Sequence, residues 1–213
     1  MGLDMKACFI FAGAPASPEE AAFLRGLDYE GAYIICADAG YERALAAGAV
    51  PDLVLGDFDN YTGPLPEGPE VLRVAAEKDD TDTMLAVKEA IRRGCDDITL
   101  LCALGGRFDH AYANLQALAY MLDHGVTGRL LGARERACML RNGARLFPVW
   151  DGYLSVFAYT PVCTGVTLEG FRYPLTDATL THSFPLGVSN EFAEREGRVT
   201  VRDGTLLIIQ SKE

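Results

Sequence analysis

The chain is poor in the residues from which many catalytic and metal-binding patterns are built. Its 213 residues include three histidines (His110, His124 and His182) and a single tryptophan, Trp150. No histidine stands at zinc-ligand spacing with a cysteine, which excludes a zinc centre of the finger type. The six cysteines, Cys8, Cys36, Cys95, Cys102, Cys138 and Cys163, form no CxxC pair, and most lie in apolar runs such as ACFIF and YIICAD. They read as buried, reduced thiols of a reducing compartment, not as a disulfide framework. Positive charge is also scarce. Against 30 Asp and Glu there are 19 Lys and Arg, giving a net charge of -11 and a pI near 4.7. Such a surface repels nucleic-acid backbones and anionic membranes, yet it can hold a polyphosphate when a divalent cation stands between the two. No apolar run approaches the roughly 18 residues that a membrane helix needs. The start, MGLDMK, lacks a signal-peptide pattern and has Lys6 where myristoylation requires Ser or Thr. The expectation is a cytoplasmic protein with no nucleic-acid or membrane partner.

Familiar nucleotide-binding signatures are missing too. There is no GxxxxGK(S/T) P-loop, and Gly13-Ala14-Pro15 follows the first apolar run where a GxGxxG would stand. No Ser/His/Asp order or reactive-cysteine context marks a nucleophile.

What remains is an ordinary globular composition, 49% hydrophobic and 23% charged, long enough for one large domain or two small ones. Short apolar runs at 7–12, 32–37, 52–56, 70–75 and 97–103 alternate with segments of helical spacing. One helix is expected near Asp80-Thr81 with a stripe of Met84, Val87 and Ile91. Another follows Asp109, with Tyr112, Leu115, Leu118, Ala119 and Leu122, and ends at Gly125. Strands alternating with helices predict an α/β domain over residues 1–136, built on a doubly wound parallel sheet with ligands beyond the carboxyl ends of its strands. Residues 137–213 change to period-two runs, from ARLFPVW to TLLIIQS, separated by Asn142-Gly143, Asp151-Gly152 and Asp203-Gly204. These dipeptides are read as hairpin turns of an antiparallel β-sandwich.

The chemistry-bearing residues gather at the predicted strand ends. Gly56-Asp57-Phe58-Asp59 follows a strand. In an extended chain its two carboxylates would share one side, with the phenylalanine facing away. Two hard-oxygen ligands on a strand end suit Mg2+, which keeps waters and shares substrate phosphate oxygens. Lys78-Asp79-Asp80-Thr81-Asp82 precedes a helix; capping explains part of it, but four acid or hydroxyl groups beside a lysine exceed a cap. Gly105-Gly106-Arg107-Phe108-Asp109-His110 offers close backbone approach, a helix start and a guanidinium fork to an anion, with Asp109 as the expected cap and His110 as a turn residue. Asp38-Ala39-Gly40 closes another strand, and Gly187-Val188-Ser189-Asn190-Glu191 reads as a turn in the tail. Together the strand ends describe a pocket for a magnesium polyphosphate.

These blocks, with Pro51-Asp52, Asn114, Gly165 to Leu175 and Phe192, stand in the order and spacing of the thiamine pyrophosphokinase family, which the chain resembles over nearly its whole length. It departs in Asp38-Ala39-Gly40-Tyr41-Glu42, where the family often has Asp-Gly-Gly-Ala-Asn, and in Asn60, where Ser is common. The resemblance implies an N-terminal α/β domain that binds ATP, a C-terminal β-sandwich that binds thiamine, and a homodimer with thiamine at the subunit interface. It implies that Asp57, Asp59 and Asp82 hold Mg2+ and the nucleotide phosphates, that Arg107 and Asp109 complete the ATP site, and that Ser189 and Asn190 form the thiamine-binding turn. Asp38, Lys78, Asp79, Thr81 and Gly106 are further candidates for substrate contact, with Lys78 and Arg107 offsetting phosphate charge. The activity implied is transfer of the diphosphate of Mg-ATP to thiamine. A DxD-type nucleotide-sugar transferase and a non-catalytic thiamine or nucleotide sensor are the alternatives.

Overall fold

The computed structural model describes residues 6–58, 68–75, 77 and 79–213, so Asp59 and Lys78 lie outside the described residues. Contacts divide the chain into two compact units, residues 1–133 and 134–213.

The first unit is α/β. Its strands are β1 (Ala7–Phe11), β2 (Tyr33–Ala37), β3 (Leu53–Gly56), β4 (Glu70–Arg73), β5 (Asp97–Leu101) and β6 (Thr127–Leu131). They lie in the order β6-β5-β1-β2-β3-β4, and every pairing is parallel. From β1 the chain winds outward to β4, then crosses back to place β5 on the other side of β1. The sheet therefore reverses direction between β1 and β5, and a crevice opens there at the carboxyl edge. The expected strands are all present. β6 was not expected, because Gly128 and Arg129 break its apolar run; an ion pair from Arg129 to Asp97 accompanies its pairing with β5.

Helices α1 (Pro18–Arg25), α2 (Gly40–Ala47), α3 (Asp82–Arg92) and α4 (Phe108–Asp123) connect the strands, and α1 packs on α2 as α3 does on α4. Local chemistry sets their starts. Ser17 accepts from the Glu20 N–H at 3.1 Å just before Pro18, and Thr81 accepts from the Met84 N–H at 3.1 Å. On α3 the buried face is Thr83, Ala86, Val87 and Ala90, so Met84 and Ile91 flank the predicted stripe. On α4 it is Asn114, Ala117, Leu118, Ala119 and Met121, while Tyr112 is 55% exposed. The α4 face is rotated because Asn114 turns inward to donate to the Ala103 carbonyl at 2.7 Å.

The second unit is antiparallel: β7 (Glu135–Pro148), β8 (Tyr153–Ala158), β9 (Val162–Glu169), β10 (Leu175–Thr181), β11 (Gly187–Glu191) and β12 (Glu196–Ser211). Asp151-Gly152 turns the chain between β7 and β8, as expected. Asn142-Gly143 and Asp203-Gly204 do not form hairpin turns. They lie opposite each other inside the long β7–β12 pair, at a register shift between Val201 and Thr205. There the Asn142 Oδ1 accepts from the Gly204 N–H at 2.9 Å, and Asn142 takes φ 44°. The same residues that favour a hairpin turn also favour a bulge, since both need left-handed backbone. Across the bulge the buried positions of β12 switch from Val199 and Val201 to Leu206 and Ile208.

The bulge folds the ribbon. Pro148 pairs with Glu196 while Tyr153 pairs with Ser211. A straight β12 would hold those ends roughly 50 Å apart, whereas the short link from Pro148 to Tyr153 reaches only about 18 Å. One half of β12 then carries β9 and β10, and the other carries β8 and β11. Side chains from both halves, among them Phe147, Leu168, Val199, Leu154, Val156 and Ile208, share one core, which makes the unit a sandwich.

The six cysteines are free and buried. Among the described residues no helix is long and apolar enough to cross a membrane.

Candidate active site

The crevice at the carboxyl edge of the parallel sheet is a cleft of about 430 Å3. Its walls are the segments that follow β1 (Ala12 to Pro15), β2 (Ala37 to Ala39) and β5 (Cys102, Ala103, Gly105 to Arg107), with Thr81 to Thr83 at the start of α3 and with His110 and Asn114 of α4. Most of these side chains are small, so the cleft exposes backbone to whatever enters it.

The backbone at this edge is strained. Among the described residues of the first unit, the non-glycine positions with left-handed φ are Asp38 (47°), Phe58 (61°) and Cys102 (51°), at the ends of β2, β3 and β5. Each such position costs about 1–3 kcal/mol and persists only where the surroundings over-determine it. Strain of this kind clusters at functional sites, and here Asp38 and Cys102 line the cleft. Phe58 also corrects an expectation. Because its φ is left-handed, the chain does not stay extended past Asp57, and Asp59 lies outside the described residues. The Phe58 ring packs against the core of the unit, as expected for the residue between the acids.

The predicted residues divide into groups. Asp38, Thr81, Asp82, Gly106 and Arg107 all line the cleft. Asp57 stands one residue beyond Gly56, whose Cα is so close to Asp38 that an added Cβ would lie 3.2 Å from the Asp38 Cα. The Asp38 N–H donates to the Leu55 carbonyl at 2.8 Å, which locks the ends of β2 and β3 side by side. Asp79 and Asp109 are exposed and are not part of the wall. Asp59 and Lys78 fall outside the described residues.

Gly105 and Gly106 both take positive φ, 87° and 67°, and form the approach to α4. A side chain at either would be strained there, so glycine at both is a backbone requirement. Arg107, not Asp109, is the residue that precedes the helix, and it makes no capping bond. Asp109 lies in the first turn, where its Oδ1 accepts from the His110 N–H at 3.0 Å and its carboxylate binds the Arg107 guanidinium at 2.5 and 3.1 Å. The Arg107 hydrogen bonds hold the Asp109 carboxyl below its usual range, and Asp109 raises Arg107 in turn. The pair is 74% and 62% exposed, so solvent screens it and an incoming anion can compete for it. A thiolate mechanism has no support at this site, since burial pushes the Cys102 thiol up to about 12.

Three lining groups escaped the sequence reading of the site. Gly13-Ala14-Pro15 was noted only as a missing motif, His110 as a turn residue, and Cys102 as a core thiol. The signal for the first was present: a run of small residues directly after a buried central strand.

Ser189 and Asn190 belong to the second unit, which has a cavity of its own, about 370 Å3, lined by Leu168, Tyr173, Pro174, Leu175, Leu186, Gly187, Val188 and Asn190. Ser189 is exposed with φ 57°, and its N–H donates to the Ser155 hydroxyl at 3.0 Å. Asn190 is 3% exposed. Its Oδ1 accepts from the N–H groups of Tyr173 and Glu191, both at 3.0 Å, and its Nδ2 donates to the Tyr173 carbonyl at 2.7 Å. The amide is therefore occupied in clamping the Tyr173 backbone at the cavity rim. Tyr173 itself is 57% exposed, and Arg172, paired with Glu191, lies 5.6 Å from the centroid of its ring.

Comparison with known proteins agrees with this two-unit arrangement. Residues 27–128 match the family model described as thiamin pyrophosphokinase, catalytic domain, and residues 146–206 match thiamin pyrophosphokinase, vitamin B1 binding domain. The thiamine pyrophosphokinase of Bacillus subtilis is 30% identical over 218 aligned positions, covering 98% of this chain and 100% of the relative. Crystal structures of thiamine pyrophosphokinases from Bacillus subtilis and Geobacillus thermodenitrificans superpose with TM-scores of 0.87 and 0.83 at 29% and 26% identity. They cover 98% and 97% of this chain, and the matches take in 100% and 98% of theirs. The yeast thiamin pyrophosphokinase shares the fold, with a TM-score of 0.76 at 11% identity, over 99% of this chain and 88% of its own. With a family model on each unit and a curated relative matched over nearly all of both chains, this chain belongs to the thiamine pyrophosphokinase family of enzymes.

Proposed function

We propose that the protein transfers the diphosphate of Mg-ATP to the hydroxyl of thiamine, giving thiamine diphosphate and AMP. The observation that carries this is the cleft of the first unit. Carboxylates, a Gly-Gly turn and an arginine meet at the point where the parallel sheet reverses, in the unit that matches the catalytic-domain model. A nucleotide-sugar transferase does not account for the second unit and its match to a vitamin B1 binding domain. A sensor needs no such concentration of acids.

The donor set fits magnesium. Asp57, Asp82 and Thr81 present hard oxygens, and one or two carboxylates suffice for an ion that keeps waters and shares phosphate oxygens. Asp57, Asp59 and Asp82 would hold it; when bound, it neutralises phosphate charge and polarises the phosphoryl group. The chain supplies position and countercharge. The backbone N–H groups at Gly105 and Gly106 face phosphate oxygens, as anions favour a turn leading into a helix. Arg107 exchanges Asp109 for phosphate, and Lys78 adds a second cation. The thiamine hydroxyl oxygen bonds to the β-phosphorus, the bond from that phosphorus to the α,β-bridging oxygen breaks, AMP departs, and a carboxylate accepts the hydroxyl proton.

The cavity of the second unit suits thiamine, a pair of flat rings of which one is cationic. Trp150 is not its platform. Arg136 and Lys212 lie 3.9 and 4.4 Å from its ring centroid and already occupy it. Tyr173 is the aromatic at the cavity, held in place by Asn190. Tyr173→Ala raises the KM for thiamine about tenfold, from lost stacking and cation–π attraction, and leaves the KM for Mg-ATP within about twofold. Steady-state kinetics with each substrate varied checks both. Tyr173→Phe keeps the ring and most of the affinity. A homodimer with thiamine at its interface and a cytoplasmic location complete the proposal.

Nucleotide products measured with and without thiamine test it. Thiamine-dependent AMP with an equal yield of thiamine diphosphate is expected. ADP would place the attack at the γ-phosphorus and overturn it, and thiamine binding without turnover would favour the sensor.

A further inference from the structure

Beyond the residues assigned above, a different strand end carries an unassigned cation. Arg73 is the last residue of β4, and it pairs in register with Gly56, the residue before Asp57. The Val74 N–H donates to the Gly56 carbonyl at 3.1 Å, so the ends of β3 and β4 leave the sheet together. The Arg73 guanidinium lies 5.7 Å from the centroid of the Phe58 ring, the residue on the other side of Asp57. It is exposed.

The other cations that the described residues bring to this edge have acidic partners. Arg107 binds Asp109 at 2.5 Å, Lys88 binds both oxygens of Asp80 at 2.7 Å, and Arg43 lies 3.7 Å from Glu42. Among the described residues, the partner of Arg73 is instead a ring face. That difference matters chemically. A guanidinium attracted to a ring spends none of its N–H donors on a carboxylate, so they stay available for a planar or tetrahedral oxyanion. A carboxylate partner would have consumed two of them. The aromatic contact also limits the rotamers of a long side chain, so less entropy is lost when the fork closes on a ligand.

The charge balance indicates what the fork is for. A magnesium–ATP complex is itself negative, and it approaches an edge with several aspartates in a protein of net charge -11. Its binding gains most from a cation that need not first give up a carboxylate, as Arg107 must. We infer that Arg73, over the Phe58 ring and in register with the residue before Asp57, is a nucleotide-binding residue that donates to the polyphosphate of Mg-ATP from the β4 side of the site. This rests on the proposed function for its substrate. It adds a contact outside the cleft wall and three strands from β1.

The test compares wild type with Arg73→Gln and Arg73→Lys. Arg73 is exposed, so both variants keep the wild-type melting temperature. Loss of a charged hydrogen-bond donor to phosphate weakens binding roughly 10- to 100-fold. In Arg73→Gln the KM for Mg-ATP therefore rises by at least about tenfold. Its kcat stays within about threefold and its KM for thiamine within about twofold, the signature of lost uniform binding. Lysine restores part of the affinity as a point charge without the fork. Equilibrium titration with Mg-ATP in the absence of thiamine reads the same loss without any turnover. If the wild type binds Mg-ATP but releases no AMP, the proposed reaction fails while the titration still decides the role of Arg73. Equal affinity of wild type and Arg73→Gln for Mg-ATP overturns the inference. A fall in kcat with a shifted magnesium dependence and an unchanged nucleotide affinity would also overturn it, since that pattern means Arg73 only props the Phe58 turn.

Discussion

Asp57→Asn lowers kcat on the order of a thousandfold, the scale on which a lost electrostatic contact at a phosphoryl-transfer centre is felt. The substitution is nearly isosteric, so its effect separates charge from packing. Asp57 is half-buried and directly follows Gly56, whose backbone abuts Asp38; the two acids are fixed by the sheet itself and not by a flexible loop. An amide there keeps the shape and loses the hard anionic oxygen. Magnesium titration of the variant should show a higher requirement together with the lower plateau, and chelation should abolish the wild-type reaction. Asp109→Asn serves as the contrast, because Asp109 lies exposed with its charge committed to Arg107. Its loss should cost about tenfold or less, in line with the small worth of a screened surface pair. Thermal melts within about 2 °C of wild type are needed for both comparisons, a shift that corresponds to about 0.5–1 kcal/mol. An Asp57→Asn enzyme with wild-type turnover would remove Asp57 from the metal site.

The sequence displayed the parallel domain because its buried strands are continuous apolar runs and its helix starts carry their caps. β6 stayed hidden, since Gly128 and Arg129 give it neither an apolar run nor an alternation. In the second unit β7 to β10 were legible. Gly187 to Glu191 reads as a turn but is strand β11, and the two runs on either side of Asp203-Gly204 are one strand, β12. The connections were not legible. Asn142-Gly143 and Asp203-Gly204 favour left-handed backbone, and from one strand alone nothing says whether that backbone serves a turn or a bulge. The partner decides, and each of these dipeptides is the other's partner across the β7–β12 pair. For the site, strand-end acids and the Gly-Gly-Arg turn could be read because polar residues after a buried strand are conspicuous. Cys102 and Arg73 could not. The strain at Cys102 is a backbone property without a residue signature, and Arg73 acquires its interest only from the register that sets it beside Gly56.

Gly40→Ala destabilises the first unit by about 3 kcal/mol, the upper end of what overpacking costs, and lowers its melting temperature by roughly 10 °C. Gly40 is the first residue of α2 and is buried. A Cβ added to it would lie 2.0 Å from the Phe11 carbonyl oxygen and 2.7 Å from the carbonyl carbon. Neither neighbour can yield. Phe11 is wholly buried at the end of β1, and β1 is paired on both sides, with β2 and β5. The helix must lift instead, and with it Ala44 and Ala47, which are buried in the core beneath α2. The same movement pulls on Asp38, two residues upstream, where the chain is already strained at φ 47° and packed against Gly56. The variant should therefore lose affinity for Mg-ATP as well as stability, even though Gly40 does not line the cleft. Gly13→Ala provides the control in the same region. Its added Cβ would meet only the Ala39 Cβ, at an ordinary 3.7 Å, so its melting temperature should stay within about 2 °C of wild type. If the two variants melt alike, the close approach of α2 to β1 is not what requires glycine at position 40. If Gly40→Ala alone melts early and binds nucleotide poorly, the packing that builds the sheet also holds Asp38 in place.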